Sequence, residues 1–253
     1  MRTVHVIVEG DKDLYFLHEF VLQRFGALFA RKENEIPKTV KECGNPLSLE
    51  SVSRGIKLDI FRAGGFTSVN TYRSCVSRPP ELEARDEFAS SIIFDADYPG
   101  TCGKNDTNGG GFAHRVDFIL DRLGIDNPAK RAQARRQIFL FPDNLSDGDL
   151  EALMERMVIQ TPDHKTFLDV CWSNFEKCVA SHHWNRPTGK SRMNEFTAAF
   201  NSDIWEINGI NRSFTFPDLW DWSSPALSPL HAFLARLLTG MPPESFDGLV
   251  ERE

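Results

Sequence analysis

The chain has 253 residues and carries 29 Lys and Arg against 36 Asp and Glu, a net charge of −7, with 41% hydrophobic and 26% charged residues. That composition fits a globular chain with a sizeable core, and its acidic balance excludes a protein that coats nucleic acid through bulk positive charge. Five cysteines, Cys43, Cys75, Cys102, Cys171 and Cys178, include no C-x-x-C pair, so neither a disulfide framework nor a zinc ribbon is expected.

The opening "MRTVHVIVEGDKD" reaches acidic residues before the apolar stretch of a signal peptide is complete. No apolar run approaches the roughly 18 residues of a membrane span, so a cytoplasmic protein without membrane contact is expected. Thr3–Val8 is β-branched and reads as a strand ending at Glu9-Gly10. Asp11 is a plausible cap for the helix that follows, whose Leu14, Leu17, Val21, Phe25 and Leu28 share one face. Lys32–Ser53 has little regular pattern. Further strands are predicted around Leu58–Phe61, Ser91–Asp95 and Gln137–Phe141, and helices over Phe112–Leu123 and Leu150–Val158. Strands alternating with helices predict an α/β fold whose mainly parallel sheet has about four strands. The loop Tyr98–Gly111 is rich in Gly and Asn.

After Pro162 the pattern becomes helical and aromatic, as at Phe167–Val179 and Leu230–Leu238, with loops at "NRPTGKS" and "FPDLWDWSSP". The expected organisation is a catalytic domain over 1–160 and a helical extension over 161–253 packed on it. Trp172, Trp205, Trp220 and Trp222 are assigned to the core of that extension.

In open parallel sheets ligands sit beyond the carboxyl ends of the strands, and the acidic residues collect there. Glu9 closes the first strand and Asp13 lies in the first turn of the next helix. Asp95 and Asp97 close the third strand at i, i+2, which in extended backbone puts both side chains on one side. Asp143 closes the fourth strand, and Glu151 starts the helix after it. Carboxylates crowded on one rim repel, and divalent hard cations that take oxygen ligands are the natural compensation.

"VIVEGDKD" and "IIFDAD" together resemble the two signature elements of the TOPRIM domain, a Rossmann-like unit shared by topoisomerases, primases and the nucleases of the overcoming-lysogenization-defect family. Glu9 with Asp13, together with Glu151 in "GDLEALME", resembles the two-metal nuclease branch, and the "PDN…GDLEALM" stretch is similar to small stand-alone TOPRIM proteins. The resemblance covers about 1–158. It implies a Mg²⁺- or Mn²⁺-dependent nuclease acting on DNA or RNA phosphodiesters, and a role in antiviral defence. Asp95 and Asp97 would be metal ligands, and Glu9 would bridge metals or orient the attacking water. Asp13 and Glu151 would complete a second site, and Lys190 would stand near the developing charge. The sequence holds no G-x-x-x-x-G-K-[ST], so any ATP dependence would require a separate ATPase partner.

Plainer roles compete. Asp13 and Glu151 suit helix first turns, and Asp143-Asn144 suits a turn. Cys178, His182 and His183 read as a helix end rather than a metal site. Lys130, Arg131, Arg135 and Arg136 read as a solvated face before a strand, and Gly109–Gly111 as either a phosphate cradle or a flexible loop. Two other functions stand beside the nuclease. One is a catalytically silent TOPRIM module that binds and regulates a partner. The other is a haloacid-dehalogenase-type phosphatase, because "FDADYPGT" partly matches that nucleophile loop; against it, Pro99 stands where Thr or Val belongs and another strand precedes the loop. If the acids only repel in metal-free protein, Asp95→Ala and Asp97→Ala should leave thermal stability level or raise it.

Overall fold

The computed structural model describes residues 1–29, 46–64, 88–99, 110–182, 189–200, 214–216 and 218–240. A five-stranded, mostly parallel sheet has the order β2-β3-β1-β4-β5, formed by β1 (Arg2–Val8), β2 (Leu47–Ser51), β3 (Ile56–Arg62), β4 (Phe88–Asp95) and β5 (Ile138–Phe141). β1 lies at the centre, parallel to β3 and to β4, and β5 continues the parallel set beside β4. Among the described strands only β2 runs antiparallel, against β3.

Two faces of the central strand feed two apolar layers. Val4, Val6 and Val8 join α1 (Asp11–Arg24), α4 (Leu150–Met157), α7 (Gly189–Ala199) and α8 (Ser228–Thr239) on one side. Ile7 faces α2 (Phe112–Arg122) and α3 (Pro128–Arg135) on the other. Burial on both faces is what parallel strands require, and it explains the near-continuous apolar runs "VHVIV" and "SIIF". Between α4 and α7 the chain forms α5 (Pro162–Lys165), a π-helical stretch (Thr166–Cys171) and α6 (Trp172–Ser181).

Several expectations change. The sheet has five strands rather than about four, because Leu47–Ser51, placed in an irregular stretch by sequence, is the antiparallel edge strand. Its alternation is short and one-sided, as befits a sheet edge. A helix missed by sequence, α3, holds Lys130, Arg131 and Arg135; Asn127 caps it by accepting from the Ala129 and Lys130 N–H groups at 3.0 and 3.1 Å, and Pro128 sits in its first turn. Gly10, not Asp11, is the N-cap of α1. Gly189–Ser191 of the expected "NRPTGKS" loop already belongs to α7.

Residues from 162 onward share one apolar cluster with the sheet: Leu168, Met193, Phe196, Phe214, Trp220 and Leu234 pack in the same core as Val4, Val6 and Phe16. Trp172 and Trp220 are buried and Trp222 packs against Phe16, while Trp205 lies outside the described residues. No helix among the described residues is long and apolar enough to cross a membrane.

Candidate functional site

Glu9, Asp13, Asp95 and Glu151 lie at the strand ends and helix starts expected of them. Glu9 follows β1 directly and Asp13 stands in the first turn of α1, where its Oδ2 accepts from the Gly10 N–H at 2.7 Å. The helix-cap role and a place on the rim are therefore both true of Asp13. Asp95 ends β4, is 4% exposed, and accepts from the Leu150 N–H at 2.9 Å, one of the helix-start donors that lack a partner within α4. Glu151 lies in the first turn of the same helix and is 5% exposed.

Asp97 departs from the expected geometry. The backbone turns left-handed there, with φ 57°, so the extended i, i+2 argument for its parallel alignment with Asp95 does not hold. Its main chain instead bonds Gly148 in both directions, at 2.6 and 3.0 Å, and its carboxylate pairs with the buried Arg115 of α2. Asp97 still lies close enough to Glu9 to act on its charge.

Cationic side chains interleave with the acids. Lys12 Nζ donates to Glu151 Oε1 at 2.9 Å and to Asn194 Oδ1 of α7 at 3.0 Å. Lys190, also on α7, reaches Asp95 Oδ2 at 3.5 Å, with its side chain 53% exposed. Sequence reading had singled out Lys190 but missed Lys12, Arg115 and Asn194. Lys12 was visible only as the residue before Asp13, and its partners are remote in the chain.

The electrostatics are those of a crowded, poorly solvated anionic rim. Burial, then the charge of Asp97, pushes the Glu9 carboxyl above its ordinary value, against the pull of Lys190 and Arg115. Burial and Glu9 raise Asp13 to about 7. Burial, Asp13 and Glu9 hold Asp95 well above the usual carboxylate range. Burial opposes the ammonium form of Lys190, but Asp95, Glu151 and Glu9 outweigh it and raise its pKa. Glu9 Oε2 is sealed from solvent and has no hydrogen-bond partner among the described residues.

Comparison of the chain with family models, curated proteins and solved structures gives no match. The site therefore has to be read from its own chemistry. Among the described residues no three His, Cys, Asp or Glu side chains are already gathered as ligands of an ion. The donors are nonetheless all oxygen, the set that hard divalent cations take, and the orphaned Glu9 oxygen is a buried acceptor awaiting a partner.

Other motifs resolve as structure. Asp143 accepts from the Leu145 and Ser146 N–H groups, from the Ser146 hydroxyl and from Arg156, which together hold its pKa down at about 2, so it is a turn residue outside the rim. The phosphate-cradle option at the start of α2 fails because Asp147 Oδ1 already takes the Phe112 N–H at 2.7 Å. Gly111 is required there by its φ of 119° and by Asp147 and Pro99, which a Cβ would meet at 3.2 and 3.3 Å; Gly109 lies outside the described residues. Cys178 and His182 are exposed on or beside the end of α6, and His183 lies outside the described residues. Arg131 is occupied by Asp117 and Asp121 of α2, on the side of β5 where the strand begins, away from the rim.

Proposed function

We propose that this protein is a divalent-cation-dependent phosphodiesterase of the TOPRIM type, cleaving DNA or RNA. The observation that carries the reading is that Glu9, Asp13, Asp95 and Glu151 lie near enough at the carboxyl rim to act on one another's charge, beside a buried Glu9 oxygen with no hydrogen-bond partner among the described residues. Glu9 with Asp95 would hold Mg²⁺ or Mn²⁺, with Asp13 and Asp97 beside them. Bound there, the ion would stabilise oxygen charge as a phosphodiester is displaced.

The chain's own residues complete the reading. The Leu150 N–H fixes Asp95 Oδ1 and leaves Oδ2 toward the rim. Glu9, with a carboxyl raised by burial, suits the orientation of a water and the acceptance of its proton. Lys190, half-exposed at the mouth, places one positive charge where a phosphate oxygen would gain negative charge. A separate ATPase partner and a role in antiviral defence belong to this reading through resemblance alone.

The test is incubation of purified protein with supercoiled plasmid, linear duplex, single strands and tRNA, in Mg²⁺, Mn²⁺ or EDTA. Scission is expected only with metal and is lost in Asp95→Asn and Glu9→Gln. Inertness of the wild type toward every substrate in both metals would overturn the reading. That result would favour a catalytically silent binding module, a reading supported by the way Lys12, Lys190 and Arg115 neutralise the acids from within.

A further inference from the structure

We infer that Lys12 is a built-in cation of the rim, standing where a second divalent ion would bind, so that the site takes a single Mg²⁺ or Mn²⁺ at Glu9 and Asp95. The inference rests on the metal-site reading above and deepens it.

Two hard oxygens from separate helices converge on one point. Glu151 Oε1 comes from α4 and Asn194 Oδ1 from α7, and the Lys12 ammonium occupies that point at 2.9 and 3.0 Å. A carboxylate and an amide carbonyl are the donors a hard cation takes from protein, with waters filling the remaining positions. The Lys12 ammonium thus stands on two oxygens of the kind a hard cation takes.

The two lysines of the rim differ in a way that separates a fixed charge from a displaceable one. Lys12 has a side chain 18% exposed, two short bonds, and a partner carboxylate 5% exposed. Lys190 is 53% exposed and makes one long contact to Asp95. An incoming ion can displace Lys190 into solvent with little loss. To displace Lys12 it must break two bonds in a poorly solvated place, and if Lys12 stays, a second dication meets a unit positive charge at close range. Glu9 Oε2, by contrast, is buried with no partner among the described residues, so the Glu9 and Asp95 side of the rim keeps an acceptor for the one ion.

The test is Mn²⁺ binding to the full chain, followed by titration calorimetry and by the electron paramagnetic resonance signal of free Mn²⁺. One ion per chain is expected for wild type and for Lys12→Arg, and two for Lys12→Met. Asp95→Asn should weaken the wild-type ion roughly tenfold or more. Two ions in wild type, both weakened by Asp95→Asn, would overturn the role of Lys12 and leave the metal reading standing. One ion in a Lys12→Met protein with wild-type circular dichroism would overturn it equally. No ion in wild type would remove the metal reading and this inference with it. Should Lys12→Met fail to fold, Lys12→Gln is titrated in its place with two ions expected, and one ion in that folded variant would overturn the role of Lys12.

Discussion

Asp13 in a helix first turn and Asp143 in a tight turn are both aspartates, yet their surroundings drive their titrations in opposite directions. Burial and Glu9 lift Asp13 to about 7, so in the folded protein it keeps a proton that the unfolded chain releases near an ordinary pKa of about 3.9. Its contribution to stability is complete below about pH 4 and is lost as the pH rises toward 7. Asp143, held at about 2 chiefly by its hydrogen bonds to Ser146, contributes stability that is complete above about pH 4 and is lost as the pH falls toward 2. In EDTA the thermal midpoint should therefore rise from pH 2 to 4 and then fall from pH 4 to 7, a fall to which Glu9 and Asp95 add. Asp13→Asn should make the fall shallower and keep the rise. An Asp13→Asn profile as steep as wild type between pH 4 and 7 would remove Asp13 from this account.

At the scale of elements, the start of α4 depends on a residue from another strand. Asp95 accepts from the Leu150 N–H, so loss of its carboxylate does more than relieve repulsion. Asp95→Asn removes a buried charge and keeps an acceptor for that N–H. Asp95→Ala leaves the donor buried and unpaired, at a cost of about 1–3 kcal/mol. Urea denaturation in EDTA at pH 8 should place the Asn variant level with or above wild type and the Ala variant below the Asn variant by that amount. This revises the simpler expectation that alanine at position 95 is harmless to the fold. Equal stability of the two variants would show that the Leu150 N–H finds another partner.

The same scale shows what could be read in advance. β1, the Gly10 turn and α1 were legible because β-branched alternation gives way to helical spacing within a few residues. The Asp-x-Asp pair was legible because two acids end an apolar strand, although the left-handed turn at Asp97 was not. α3 escaped because, of its residues, only Ala134 is buried, leaving almost no apolar face to detect. Lys12, Asn194 and Arg115 escaped because their importance lies in partners brought together by α4, α7 and the Asp97 turn, and no local spacing encodes that.

For the whole molecule, one core joins the two expected parts of the chain. Leu168, Met193, Phe196, Trp220, Leu234 and Leu238 cover the same side of the sheet as Val4, Val6 and Val8, and Lys190 and Asn194 enter the rim from that later segment. A chain ended after Gln160 would expose that face. It should lose near-ultraviolet circular dichroism, bind an anilinonaphthalene dye and unfold without a cooperative transition. A cooperative melt with little dye binding would show that the first 160 residues are self-sufficient.

The central position of β1 also has a temporal side. Of the five described strands β1 leaves the ribosome first, yet it pairs with β3 from Arg2 opposite Ile56 and with β4 from Thr3 opposite Phe88. During synthesis its valines have no native neighbour strand until β3 emerges, and no second one until β4 has followed. A sheet nucleated from its middle in this order is assembled through long-range closures, which are slow and leave an apolar ribbon exposed in the nascent chain. Holding that ribbon apart from other chains is thus a demand that the strand order places on the cell before any site exists.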